Sequence, residues 1–148
     1  MGHLIKVKAS EIIPSQDFVK ESTIGYILKC IVRHEEDKLP PTPIVRKKPD
    51  GSRYIAIDGH NLIIIYDLLE RDCEVYLAEA PNDRLIELPK SSPDAIARRN
   101  EDLAQKYDKV IEDAIQLKNK GISSFKELRK RFPYLSSLDS AKKHYNLK

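Results

Sequence analysis

The sequence predicts an α+β fold, and three observations carry that prediction. Strand-like and helix-like apolar patterns alternate between Leu4 and Ala78, Asp50-Gly51 supplies hairpin-turn chemistry, and the polar tetrad Asp58-Gly59-His60-Asn61 separates a strand pattern from a continuous apolar run. Leu4 to Val7 reads as a short strand, and Pro14 then stops regular structure, leaving Ser15 and Gln16 in a loop. From about Val19 to Arg33 the apolar residues Ile24, Ile27, Leu28, Ile31 and Val32 recur at helical spacing. The acidic stretch at 34–37 and the prolines at 40–43 close that helix. Two strand patterns, 43–47 and 53–57, flank the Asp50-Gly51 turn, where glycine takes left-handed backbone without strain. The apolar run that starts at Leu62 is too long and unbroken for a strand, so a mostly buried helix is expected to Arg71, followed by a strand from Glu74 to Ala78.

Residues 1–80 are therefore expected to form a β-α-β-β-α-β core, with 81–92 as a proline-containing linker and 93–148 as a helical region. Ser92-Pro93-Asp94 has the cap, first-turn proline and first-turn acid of a helix start. Ile96, Leu103, Val110 and Leu117 then repeat along one stripe, with Tyr107, Ile111 and Ala114 beside it, up to Gly121. Such a helix would span roughly 40 Å at about 1.5 Å per residue. It must pack on the core and overhang it, or form a homodimer seam with a second copy. Two short helices, about Phe125 to Phe132 and Ser137 to Tyr145, should follow, each opened by a capping box at Ser124 to Glu127 and Ser136 to Asp139.

Composition narrows the classes of function. At 148 residues, one domain with a small appendage is expected, and 41% hydrophobic residues suffice for a core. The absence of an 18-residue apolar run predicts no membrane span, and the first residues lack the plan of a signal peptide, so a cytoplasmic location is expected. Cys30 and Cys73 suit neither a disulfide framework nor a metal pair, and His3, His34, His60 and His144 are scattered, which argues against structural zinc. The net charge of +3 is unevenly spread: residues 121–148 hold seven Lys and Arg against Glu127 and Asp139, a local +5.

The tetrad is the first candidate site. A strand running through Gly59 into a helix places free amides and the positive helix end at the turn, where an anion such as phosphate is favoured. Asp58 would bind Mg²⁺ or accept a proton, while His60 and Asn61 would donate to phosphate oxygens. The same residues also suit a plain turn in which Asp58 caps the helix and His60 lies on the surface. The second candidate is the basic tail, where Lys126, Arg129, Lys130, Arg131, Lys142 and Lys143 are expected to face outward. A helix-turn-helix reading puts Ser137, Asp139, Ser140 and Lys143 toward bases and Arg129, Lys130 and Arg131 on phosphates. A two-helix cap with a solvated basic face is the alternative.

Over about residues 3–80 the order of elements, the strand after Pro43, the hairpin, and Asp58-Gly59-His60 opening a helix resemble the ParB/sulfiredoxin superfamily. The Asp-Gly-His form is most similar to its archaeal free-serine-kinase and ParB-like branch. The resemblance implies a nucleotide, ATP, ADP or CTP, bound with or without Mg²⁺ by Asp58, Gly59, His60 and Asn61, and a ParB-like protein that binds DNA through its basic helices. The alternative it implies is a nucleotide-dependent phosphotransferase or NTPase related to the ADP-dependent serine kinases. Three departures stand out. Leu62 occupies the position of the family's phosphate-clamping arginine, which Arg53, Lys47 or Lys48 would have to replace. Gln16 stands where the kinases carry a glutamate base, leaving Asp17 as a displaced catalytic candidate beside Asp58. No cysteine lies in the tetrad, which excludes sulfiredoxin chemistry.

Overall fold

A computed structural model describes residues 2–79 and 107–147. A mixed five-stranded sheet is built from β1 (His3–Lys8), β2 (Ile12–Ile13), β3 (Ile44–Lys47), β4 (Tyr54–Asp58) and β5 (Asp72–Leu77). The helices are α1 (Glu21–Val32), α2 (His60–Leu68), α3 (Tyr107–Asn119), α4 (Phe125–Lys130) and α5 (Leu138–His144). Single 3-10 turns lie at Ala9–Glu11, Glu36–Lys38 and Pro133–Leu135. The start expected for the long helix, Ser92-Pro93-Asp94, lies outside the described residues.

The strands run in the order β1-β5-β3-β4-β2. β1 pairs antiparallel with β5 along its whole length, from His3 opposite Leu77 to Lys8 opposite Asp72. β3 is parallel to β5 and antiparallel to β4. The hairpin turn between β3 and β4 is held as expected: Gly51 has φ +75°, and the Asp50 carboxylate accepts from the Ser52 amide at 2.9 Å and its hydroxyl at 2.6 Å. β2 is a strand that the residue pattern does not announce. Its two residues pair parallel with Tyr54 and Ile55, too short a run to show a period.

One face of the sheet carries the main core. Val7, Val45, Ala56, Cys73 and Val75 pack with Ile24, Ile27 and Leu28 of α1 and with Leu62, Ile63, Ile64 and Ile65 of α2. The same continuous cluster takes in Leu117, Ile122, Phe125, Leu128, Leu135 and Ala141. α4 and α5 and their flanking residues thus complete the core that the sheet, α1 and α2 begin. Burying one such side chain contributes about 1.5–3 kcal/mol. A small second cluster, Ile44, Tyr76 and Ala78 with Ile57, lies apart from it.

α3 packs on β4, and Tyr107, where its described part begins, is fastened to β3 twice. The Tyr107 hydroxyl donates to the Lys47 carbonyl, and the Arg46 guanidinium lies 3.9 Å from the centre of the Tyr107 ring. No described helix is long and apolar enough to cross a membrane.

Candidate functional site

The site is built where β4 turns into α2. Asp58 pairs with Ile44, and Ala56 with Val45, so the ladder slips by one residue and Ile57 is left without a partner. This bulge matters for Asp58. Strict alternation would send it to the face of Ala56, which is core, whereas the bulge releases it to solvent.

Gly59 follows at φ +87° and ψ 24°, left-handed backbone that glycine enters without penalty. A side chain here would also collide, because a Cβ would stand 2.7 Å from Pro43 Cα. The glycine is therefore fixed by its backbone and by Pro43, before any ligand is considered. No side chain caps the helix that begins at His60. The Leu62 amide turns back to the Gly59 carbonyl at 3.1 Å, so the amides of His60 and Asn61, with the helix dipole, are what the first turn offers an anion.

His60 does not take the place expected of it, either as a phosphate donor or as a surface residue. It is 2% exposed, and its ring lies 5.6 Å from that of Phe125. The Ser15 amide donates to His60 Nε2 at 2.9 Å, which makes Nε2 the unprotonated nitrogen and leaves Nδ1–H buried without a partner. Burial lowers its pKa to about 3, so the ring is neutral at ordinary pH. A histidine turned into the core cannot reach a phosphate at the helix mouth. Its sequence signal was misleading because the first residue of a helix can point either way.

Asn61 is also occupied. Its side-chain oxygen accepts from the Lys20 amide at 3.0 Å, and Lys20 is the residue that opens α1. Together with Ser15, whose hydroxyl donates to the Ala56 carbonyl at 2.7 Å, this clasps loop 14–20 across the start of α2. What Asn61 offers an anion is its backbone amide. Asp17 sits on the clasped loop, exposed, with Lys120 Nζ 3.6 Å from its carboxylate.

The substitutes for the absent arginine are partly committed. Arg53 donates to the Ser10 carbonyl at 2.7 Å, and Lys48 pairs with Asp50 at 3.6 Å. Leu62 is buried in the main cluster. Among the described residues, no group of three or more His, Cys, Asp or Glu is placed to hold a metal ion. Asp58 is a single exposed carboxylate, and Mg²⁺ is commonly held by one or two carboxylates plus substrate phosphates, so it could hold that ion only with ligands from elsewhere.

The basic tail divides on inspection. Arg129 is 17% exposed and Asp67 14%, and the guanidinium Nε lies 2.9 Å from the Asp67 carboxylate. Its Nη1 also faces the Leu135 and Ser136 carbonyls at 3.3 and 3.4 Å. Arg129 is thus a strut between α4 and α2 instead of the phosphate contact expected. Arg131 donates to the Lys120 carbonyl at 2.6 Å. Lys126, Lys130 and Lys143 are exposed, and Lys142 is half-buried. Ser124 caps α4 as expected, whereas α5 is capped by Ser137, one residue later than the expected Ser136.

Compared with known protein-family models and with curated proteins, the chain matches none.

Proposed function

We propose that this chain is a ParB/sulfiredoxin-like nucleotide-binding protein that receives phosphates at the open start of α2 and contacts DNA through its carboxy-terminal helices. The observation that carries the reading is the uncapped, left-handed start of α2 directly after a bulge that turns Asp58 outward. The order β1, α1, β3, β4, α2, β5 supports it, with β2 as a small addition. The site uses the backbone amides of His60 and Asn61 and the carboxylate of Asp58; the His60 ring holds the clasped loop instead. Lys126, Lys130, Lys142 and Lys143 remain as the tail's phosphate contacts, and DNA affinity is expected to fall steeply with salt as counterions are released.

Calorimetric titration with ATP, ADP and CTP, each with and without Mg²⁺, tests the nucleotide site. Binding of at least one nucleotide, with its Mg²⁺ dependence abolished in Asp58→Asn, is expected. Absence of binding to all three removes the nucleotide role. A second reading, a phosphotransferase of the serine-kinase type, draws on the clasp that holds Asp17 on a loop across the start of α2. Single-turnover assays with ADP or ATP and free serine decide it: product no greater than that of an Asp58→Asn control ends this reading.

A further inference from the structure

A groove of about 610 Å³ runs between α1 and residues 145–147, on neither the tetrad nor the outer face of α4. Its volume lies in the range of about 300–1,000 Å³ usual for ligand sites. Ser22, Tyr26 and Lys29 of α1 and Arg33 at its end line it at helical spacing, with Tyr145 and Asn146 opposite. None of its nine lining residues is acidic. The side chains of Lys29 and Arg33 have no ion-pair or hydrogen-bond partner among the described residues, although they stand one turn apart on the same face. Of the carboxylates around it, Glu21 faces His144 at 3.6 Å and Glu35 faces Lys38 at 3.3 Å, with Asp37 also in electrostatic reach of Tyr26.

Two features make this more than a solvated basic stripe. Tyr26 is 47% exposed, yet its hydroxyl is held by the Lys38 carbonyl, so the ring is presented in a fixed pose. The opposite wall is fixed too: Gly25 lets the Tyr145 ring pack directly against α1, where an added Cβ would stand 2.9 Å from it. Unpaired cations one turn apart beside a fixed, exposed ring match what a single strand presents: regularly spaced phosphates and unstacked bases. Duplex DNA presents the phosphates but keeps its bases stacked away from such a ring.

We infer that the groove between α1 and residues 145–147 binds single-stranded nucleic acid, with phosphates on Lys29 and Arg33 and a base on Tyr26. This deepens the nucleic-acid part of the reading above and rests on it. Lys142 and Lys143, on the turn of α5 that leads into the groove, would extend the phosphate track.

The test is fluorescence anisotropy of the whole chain with a labelled 15-nucleotide dT strand and a 15-base-pair duplex. The strand is expected to bind more tightly than the duplex. Tyr26→Leu should weaken strand binding by about fivefold or more, while Tyr26→Phe, which keeps the ring, should retain most of it. Lys29→Gln with Arg33→Gln should reduce the slope of log affinity against log salt by about 1–1.5. Circular dichroism of each variant verifies that it is folded. Three results overturn the groove while leaving the tail reading in place: duplex binding as tight as strand binding, indifference to Tyr26→Leu, or loss only in Lys126→Gln with Lys130→Gln. Capture of polyglutamate as tight as that of the strand reduces the groove to charge and overturns the assignment. No binding of either oligonucleotide overturns both readings of the nucleic-acid role, and the nucleotide titration is unaffected by that outcome.

Discussion

The starts of α4 and α5 are closed by their own side chains, and the start of α2 is not. The Ser124 hydroxyl accepts from the Glu127 amide at 3.1 Å, and the Ser137 hydroxyl accepts from the Ser140 amide at 3.1 Å. Glu127 also accepts from the Ser123 and Ser124 hydroxyls, which holds its carboxyl below the usual range. At α2 the corresponding residue is Gly59, which has no side chain to offer. A cap normally contributes about 1 kcal/mol. A helix that forgoes it, on a glycine that Pro43 requires, keeps the amides of His60 and Asn61 for something other than its own side chains, while the Leu62 amide returns to the Gly59 carbonyl. The difference separates a helix end that serves the fold from one that can serve a ligand.

Three changes would break or sharpen that contrast. At neutral pH the largest effect is expected at Gly59→Ala, which combines a left-handed backbone with a Cβ 2.7 Å from Pro43 Cα. A loss of about 3 kcal/mol is expected, since the backbone alone costs about 1–2 kcal/mol and Pro43 cannot yield without moving the chain. Thermal unfolding would register it, and a fall of less than about 1 kcal/mol would show that the turn relaxes.

Next comes the buried histidine beside the open end. The folded-state pKa of His60, about 3, lies below its ordinary value of 6.5, so the unfolded chain takes up the proton first. Its contribution is therefore fully present above pH 6.5 and is lost as pH falls from there toward 3. The expected slope is about 1.4 kcal/mol per pH unit. Urea titrations at pH 7, 6, 5 and 4 would measure it. His60→Gln, which can still accept from the Ser15 amide, should remove that part of the slope. An unchanged pH dependence in the variant would assign acid sensitivity elsewhere.

The smallest effects belong to the closed ends. Ser124→Ala and Ser137→Ala should each cost about 1 kcal/mol, and nucleotide binding should not respond to either. Weakened nucleotide affinity in these variants would show that the two kinds of helix end are coupled.

The alternation of elements was legible because each relies on local chemistry. Asp50-Gly51 specifies its turn, Ser124 its cap, and Ile24, Ile27 and Leu28 the inner face of α1. What escaped the sequence depends on distant partners. The burial of His60 requires Ser15 and Phe125, and the role of Arg129 requires Asp67, 62 residues away. In the sequence, Arg129 is one more cation in a basic run, and only the fold separates it from Lys126 and Lys130. Likewise, the slip at Ile57 that turns Asp58 outward is a property of the ladder with β3.

The contact between α2 and α4 also bears on how the chain is made. Asp67 must wait for Arg129, which follows 62 residues later, and the buried residues of α2 must wait for Phe125 and Leu128. At about 5–20 residues per second of synthesis, that delay lasts roughly 3–12 s. Once β5 has been made, the sheet and its first two helices are complete while part of their apolar surface still lacks its cover. The helices that close the interior are therefore made well after the surfaces they cover, and the nascent chain carries an incomplete core in the meantime.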